Sequence, residues 1–542
     1  MNLLTSAEMR EVERAADSAG LSYATMMQNA GGAVAAEILN RLPTGDAAVE
    51  VLILCGSGNN GGDGLVCAAA LAEGAQRENR ALTVQVYLLR ARESDDPLIA
   101  PLAAAEIAVM AQPDDEGLRL LRARLARADV IVDALLGTGA ARTIEGPLRD
   151  LLHEVQVTRD RGVKTRRPGV LRGLPHAPAI VAVDGPTGMN YETGSLDANA
   201  VAADLTVTFH AAKRGHYCYP AAGARGELVV APIGIASLTP TDGRLWTALN
   251  PPARISVVDD AWVRERLPRR ASDANKGSHG RALIVAGSHD YPGAPALCAG
   301  AAYRAGAGLV TLAVPEAGRL AVAAVIPEAV YVPQTVSGLE KLSGIAAALV
   351  GPGLGRGDSG RAALGAFMAA MVHLRTAVRG VVFDADALNI LAEDEALLEY
   401  RLSDLSAVLT PHPGEMARLT SLPVAEIQAD RIGHASRLSR ECGAVVVLKG
   451  ANTVIASRDG QIMVLDSANP ALATAGTGDV LAGAIVGLMA QGLRPFDAAV
   501  CGAALHARAG ELWRDAHGDS GLLASDLLPL LPAARRAIML AP

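Results

Sequence analysis

Three carboxylates of this chain stand where carboxylates do chemistry. Asp63 closes the run Gly-Ser-Gly-Asn-Asn-Gly-Gly-Asp at 56–63, directly after the apolar run VEVLILC at 49–55. Asp184 ends the apolar run AIVAVD at 179–184, and Asp479 follows Gly476, Thr477 and Gly478 at the head of an Ala/Gly/Leu-rich stretch. Gly56, Gly58 and Gly61 match G-x-G-x-x-G, a spacing that lets backbone N–H groups approach a phosphate at a helix N-terminus. A carboxylate at the same mouth repels a pyrophosphate unless it faces the reacting end. Asn59 and Asn60 offer both donors and acceptors. The loop therefore points to a reaction site as much as to a phosphate cradle, with the helix expected to begin near Gly64.

Two further strand ends converge on that loop. DVIVDALL (129–136) carries Asp133 ahead of a Gly-Thr-Gly turn at 137–139, and Thr187 follows Asp184 by three residues. Ligands of open α/β sheets bind beyond the carboxyl ends of the strands. Hard oxygen donors gathered there suit an alkali or magnesium cation. Taken singly, each aspartate is also compatible with a helix cap.

The second half has its own set. Successive N–H groups of Gly476–Gly478 at a helix start form an anion hole for a phosphoryl group in transfer, and Asp479 can take the proton of an attacking hydroxyl. His412 and Glu415 follow one strand, and Lys449 and Gly450 end another that turns through Thr453. LVGPGLGRG (349–357) adds a glycine-rich turn, VVFDADALN (381–389) adds Asp384 and Asp386, and Lys276 and His279 precede the strand at 281–288.

The elements that must position these residues are legible as alternation. Val/Ile/Leu-rich runs alternate with Ala-rich helical stretches, which predicts α/β architecture with largely parallel, doubly covered sheets. The remaining strands of the first half are predicted at 82–89, 205–210 and 226–234; those of the second at 281–288, 309–315, 347–353, 380–386, 407–413 and 444–450. An amphipathic helix opens the chain, with Ser6 as its N-cap. The stretch 237–256 mixes Pro, Gly, Thr and Asp without apolar period and reads as a seam, giving domains at 1–235 and 251–542 with a linker at 236–250. The stretch 157–173 carries six Lys/Arg against one Asp and reads as a solvated loop, or as an anion-attracting rim beside a dinucleotide pocket.

Composition narrows the function classes. The chain has 542 residues, 50% of them hydrophobic and only 3% aromatic, with a net charge of −8. That permits sizeable cores and disfavours base-stacking platforms or a basic footprint for nucleic acid. No uncharged apolar run approaches the ~18 residues of a membrane span, and the charged opening lacks a signal-peptide core, so a cytoplasmic protein is expected. The six scattered cysteines read as reduced, buried thiols.

With these residues in place, GSGNNGGDGLV, DALLGTG and VDGPTGMN resemble the NAD(P)H-hydrate epimerase family over about residues 1–235. The resemblance implies a Rossmann-like domain and a bound potassium ion. It places Asn59, Asn60, Gly61, Gly62 and Asp63 on the substrate, with K+ held by Asn60, Asp133 and Thr187. It wraps the loop Gly137, Thr138, Gly139, Ala140, Ala141, Arg142 and Thr143 around the substrate and sets Asp184 at the reacting ring. Family members commonly have Ser at the position of Thr187, and the hydroxyl is kept.

TPHPGE, LKGANT, GPGLG, FDADALN and AGTGDVLAG resemble the ribokinase-like, ADP-dependent NAD(P)H-hydrate dehydratases over about residues 251–542. That implies nucleotide contacts at Lys449, Gly450, Ala451, Asn452, Thr453 and Gly478. It implies hydrate contacts at Ala294, Gly353, His412 and Asp479, with Asp479 as base, Gly476–Gly478 as anion hole, and Mg2+ and ADP as cofactors. The expected partners are the hydrates NADHX and NADPHX with ADP and AMP, and further copies of the chain as a homo-oligomer. Two other readings carry less of the sequence: a vitamin or sugar kinase with an appended binding module, and an ordinary NAD(P) oxidoreductase. The kinase leaves the Asn-Asn-Gly-Gly-Asp loop idle. The oxidoreductase lacks an acidic ribose reader after 82–89, where Arg90 and Arg92 stand instead.

Overall fold

Unbroken Val/Ile/Leu runs become strands buried on both faces, because covering helices leave neither face to water. The computed structural model describes the chain except residues 44–47, 94, 140–142, 165–167, 175–176, 239–242, 250–253, 375–376, 394–401, 403–404 and 542. The chain divides into two compact units, Asn2–Ala253 and Arg254–Pro542, with Met1 grouped with the second.

The main sheet of the first unit has seven strands among the described residues: β1 (Val49–Cys55), β2 (Leu82–Leu88), β3 (Ala108–Ala111), β4 (Val130–Ala134), β5 (Ala179–Val183), β6 (Leu205–Phe209) and β7 (Glu227–Ala231). Their order is β3-β2-β1-β4-β5-β6-β7, with every pairing parallel. The order reverses at β1, and at such a switch point the strand ends open a crevice. Alternate residues of β1 serve two cores. Val51 and Ile53 pack on one side of the sheet, and Leu52 and Leu54 on the other. Ile53 is fully buried, so its truncation to Ala should cost about 2–5 kcal/mol.

The second unit holds ten strands: β8 (Ile255–Val257), β9 (Arg281–Val285), β10 (Leu309–Val314), β11 (Val330–Pro333), β12 (Ala347–Val350), β13 (Val381–Phe383), β14 (Ala407–Leu409), β15 (Val445–Leu448), β16 (Val454–Ala456) and β17 (Ile462–Val464). The order is β8-β17-β16-β15-β14-β13-β12-β9-β10-β11, parallel except where β16 meets its two neighbours. All the strands predicted from sequence form. Those of the two main sheets not predicted are edge or hairpin strands, three or four residues long, too short to show a period: β3, β8, β11, β16 and β17.

Four expectations need correction. The first helix is capped by Thr5 and not Ser6, since Thr5 Oγ1 accepts the Glu8 N–H while the Glu8 carboxylate accepts the Thr5 N–H at 2.8 Å. The helix after β1 begins at Asn59 and not near Gly64, because Gly56 and Gly61 pack backbone against backbone. A Cβ on Gly61 would stand 1.9 Å from the Gly56 carbonyl oxygen, so only glycine permits so tight a turn.

The seam is also more structured than its composition suggests. Leu245 and Leu249 share one face of the helix Gly243–Leu249 and join the first unit's core, while Ile255–Val257 is already strand β8. Residues 157–164 of the basic stretch are not loop but the last turns of the helix Gly146–Lys164, where Arg159 clamps Asp204 at 2.5 and 2.6 Å. All six cysteines are buried and free, and no helix among the described residues is long and apolar enough to cross a membrane.

Candidate active sites

The tight turn after β1 delivers Asn59 and Asn60 on the first turn of the helix Asn59–Arg77 and Asp63 at the start of its second, at the carboxyl edge of the first sheet. A cavity of about 1080 Å³ opens there. Asn59, Asn60, Asp63, Gly137, Thr138, Gly139, Thr143 and Asp184 all lie on its wall, as expected. Gly61 and Gly62 do not; they pack against Gly56 and against Met27 and Leu98. Ala140, Ala141 and Arg142 lie outside the described residues.

Asp133 and Thr187 meet in the wall behind. Thr187 Oγ1 donates to Asp133 Oδ1 at 2.6 Å and its N–H to Oδ2 at 2.8 Å. The Asp133 carboxyl is buried with only hydroxyl and amide dipoles around it, and burial raises its pKa against those hydrogen bonds. Asn60 is buried with its Nδ2 unbonded, and its Oδ1 is close to Gly137. A buried carboxylate without a cation, beside hydroxyl and amide oxygens, is a donor set that fits a monovalent hard cation.

Asp184 is the most constrained residue of the site. It is a non-glycine at φ 65°, a left-handed conformation that costs free energy and is held by its partners. Lys213 Nζ donates to its Oδ1 at 2.6 Å, Thr208 Oγ1 at 2.7 Å, and His216 Nε2 reaches its carbonyl oxygen at 2.7 Å. Burial would push the Asp184 carboxyl up, but the Lys213 charge and the hydrogen bonds from Lys213 and Thr208 hold it below the usual carboxylate range. Burial and the Lys213 charge lower His216 to about 4, so the ring is neutral at physiological pH. Its Nδ1 accepts the Lys213 N–H, which leaves the proton on Nε2.

Asp63 is the counterpart. Burial, then the negative charges of Asp184 and Glu13, raise its carboxyl well above the usual range. Glu13, from the first helix, lines the same cavity and is also raised, chiefly by burial. Asp63 and Asp184 are thus two carboxyls of one cavity with pKa values driven apart, an arrangement suited to acid/base work. Sequence reasoning missed Lys213, Thr208, His216 and Glu13. A buried lysine just past β6 has no local motif, although a lysine and a histidine closely following an apolar run are a weak signal.

In the second unit, Asp479 lies on the first turn of the helix Thr477–Ala490, whose N-cap Gly476 has φ 86°. Asp479 is half-buried, not packed into the aliphatic interior. Burial raises its carboxyl to about 7, with Asp384, Asp386 and Glu415 adding to the shift and Lys449 opposing it. Lys449 Nζ donates to the buried Asp384 Oδ1 at 2.8 Å and stands 3.6 Å from Glu415 Oε2. A Cβ on Gly478 would lie 3.4 Å from the same ammonium. Glu415 is itself pushed up to about 7, mainly by burial. His412 caps the helix Pro413–Thr420, its Nδ1 accepting the Gly414 and Glu415 N–H groups while Glu415 Oε2 accepts the His412 N–H.

Ala294 and Gly353 lie together: a Cβ on Gly353 would be 3.0 Å from that of Ala294. The turn Gly450, Ala451, Asn452 and Thr453 is closed largely on itself. Thr453 Oγ1 donates to Gly450 O, and Asn452 is buried with its Oδ1 on Ser467 N. Thr477 likewise turns its hydroxyl to Leu472 O and Thr474 O, and its amide lies 3.4 Å from Thr474 O. The expected three-amide hole is thus spent at Thr477. His279 and Lys276 precede β9 and so lie at the opposite, amino edge of the sheet from Asp479.

Residues 282–533 match the family described as NAD(P)H-hydrate dehydratase, and residues 23–215 match the one described as YjeF-related protein N-terminus. The bifunctional NAD(P)H-hydrate repair enzyme Nnr of Moorella thermoacetica is 38% identical over 561 residues, covering 99% of this chain and 97% of that protein. Its Escherichia coli counterpart is 34% identical over 529 residues, covering 97% and 92%. Among solved structures, the Bacillus subtilis ADP/ATP-dependent NAD(P)H-hydrate dehydratase co-crystallized with ATP/Mg2+ is 34% identical and aligns with a TM-score of 0.46, covering 52% of this chain and 98% of that one. With such identity along nearly its whole length, the chain belongs to the family of bifunctional NAD(P)H-hydrate repair enzymes.

Proposed function

We propose that the chain restores hydrated NADH and NADPH in two steps, epimerisation of the R hydrate by the first unit and ADP-dependent dehydration of the S hydrate by the second. The observation that carries this reading is Asp479. It is a half-buried carboxyl at a helix N-terminus, brought to about 7 and facing a lysine already committed to Asp384. Such a group is ionised often enough to act as a base and basic enough to take an alcohol's proton.

The hydrate carries its hydroxyl on ring carbon 6, and hydroxide leaves poorly. Asp479 takes the hydroxyl proton as the oxygen attacks the terminal phosphorus of ADP. The bond from that phosphorus to the bridging oxygen breaks and AMP departs. The phosphate ester then leaves from carbon 6, a proton is lost from carbon 5, and the dihydropyridine returns. Lys449 and the first-turn amides around Gly478 bind the phosphoryl oxygens. The carboxyls of Asp384, Glu415 and Asp479 outnumber Lys449, and two of them are pushed up to about 7. That surplus of negative charge fits a divalent cation, which Asp384 and Glu415 would hold. When bound, Mg2+ screens the phosphate charge.

In the first unit, carbon 6 bears both hydroxyl and ring nitrogen, so the hydroxyl can leave as water once protonated. Protonated Asp63 supplies that proton. The Asp184 carboxylate, kept anionic by Lys213, sits across the positively charged ring and steadies it until water re-adds on the other face. Asn60, Asp133 and Thr187 would hold K+, which when bound supplies a fixed positive charge at the cavity wall.

The test is a mixture of R and S hydrates with ADP and Mg2+, followed by dihydropyridine absorbance. Full recovery is expected. Recovery of the S fraction alone would remove the epimerase assignment. No recovery, with a phosphorylated vitamin or sugar formed when one is offered, would replace repair with a kinase.

A further inference from the structure

Five arginines from three segments of the second unit line one concavity of about 580 Å³. Arg269 and Arg270 follow the helix Asp260–Arg266, Arg304 is in the last turn of the helix Ala294–Ala305, and Arg535 and Arg536 belong to the helix Leu527–Leu540. No carboxylate lines the cavity, and among the described residues none of the five guanidiniums enters an ion pair. The chain as a whole carries −8, so this surplus of positive charge does not follow from composition.

The place is separate from the Asp479 site. The helix Ala294–Ala305 leaves the carboxyl end of β9 and returns to the amino end of β10, so Gly306 and the cavity beside it belong to the amino edge of the sheet. A helix C-terminus attracts cations, and this accounts for part of the cluster. Arg270 Nη2 donates to Gly306 O at 2.6 Å, and Arg535 Nη2 donates to Pro268 O. One N–H of each is spent, and each keeps further donors. Arg269, Arg304 and Arg536 are exposed and make no such bond among the described residues.

Burial and the Arg270 charge push the half-buried Arg535 guanidinium below its usual value. The same two arginines, after burial, lower His279, which is buried with its Nε2 unpartnered. Like charges gathered without a counter-charge raise the free energy of the fold, and an anion bridging them lowers it. Guanidinium forks match phosphate oxygens two at a time. The volume exceeds what one phosphate fills and lies in the small-molecule range. Tyr303, Pro532 and Met539 complete the wall.

We propose that this cavity is a second anion site that binds an oligophosphate chain, free or carried on a nucleotide, through Arg270, Arg304, Arg535 and Arg536. The test titrates inorganic tripolyphosphate calorimetrically into the full chain at low ionic strength, beside an Arg304→Glu/Arg536→Glu variant. Binding is expected to weaken at least ~10-fold in the variant and to weaken with added salt, while ADP-dependent dehydration is kept. If that variant fails to fold by circular dichroism, Arg304→Gln/Arg536→Gln replaces it. A parallel titration with adenosine tetraphosphate separates the sources: tighter binding than tripolyphosphate assigns the site to nucleotides, equal or weaker binding to the free chain. Equal tripolyphosphate binding by wild type and variant overturns the proposal, because the anion then sits elsewhere, as on the amides before Asp479. Absence of binding to wild type overturns it too. A variant that changes sedimentation but not tripolyphosphate binding overturns it in favour of a contact between copies.

Discussion

The two candidate sites use the same parts to opposite ends. Each has a lysine tied to a buried carboxylate, Lys213 to Asp184 and Lys449 to Asp384. Each then has a carboxyl with no ion pair among the described residues, Asp63 or Asp479. Burial raises both. For Asp63 the next influences are Asp184 and Glu13, and Lys213 is the weakest of four, so the proton stays on. For Asp479 the opposing Lys449 outranks Asp386 and Glu415, and the carboxyl settles at about 7. The rank of the lysine among a carboxyl's neighbours decides whether it is kept as an acid or poised as a base.

The most direct way to break this contrast is Asp479→Asn. Dehydration should fall by on the order of 10²–10⁴, with exchange of R and S hydrates unchanged when followed chromatographically. Turnover near wild type in that variant removes the base. Next is Lys213→Met, which leaves Asp184 charged and buried without its cation. A loss of about 3–5 kcal/mol is expected, read as an earlier thermal transition, together with loss of R but not S turnover. Adding Asp184→Asn should return most of that stability. A double variant no more stable than Lys213→Met would show that the ion pair is not what holds Asp184.

Opposed pH profiles sharpen the comparison further. With Asp479 as the proposed base, the dehydration rate should climb about tenfold per unit below neutrality and level above the carboxyl's value of about 7. With Asp63 as the proposed acid, epimerisation should instead decline as pH rises through that group's raised pKa. Coincident profiles would mean that the two carboxyls play the same role.

The smallest effect is on stability. Asp479 ionises in the unfolded chain near the ordinary carboxylate value, ~3.9, and in the folded chain at about 7. Between these values the folded state binds more protons, so stability drops as pH rises through that window. Asp479→Asn removes the drop. At pH 8 it should melt higher than wild type, by roughly 2–4 °C for each kcal/mol recovered, and at pH 4 the gap should close. A lower midpoint for the variant at pH 8 would show that the carboxylate supports the fold instead of straining it.

Most of what positions the chemistry was written locally. Runs such as Val49–Cys55 and Arg281–Val285 are strands because β-branched and leucine side chains need cover on both faces, and glycines 56 and 61 force the turn that starts the helix carrying Asp63. A strand's carboxyl end is where a sheet opens and a glycine-led helix start is where backbone amides are free, so Asp184 and Asp479 could be placed from their neighbours in sequence. Short edge strands such as Val330–Pro333 could not, because their stability comes from the strand they add to. Lys213, His216 and Glu13 join Asp184 only through folding, as do arginines from three separate segments around one cavity. Which carboxyl keeps its proton was likewise settled by tertiary structure. Desolvation and Coulomb interactions sum over everything within a few ångströms in space, and most of those neighbours are far away along the chain.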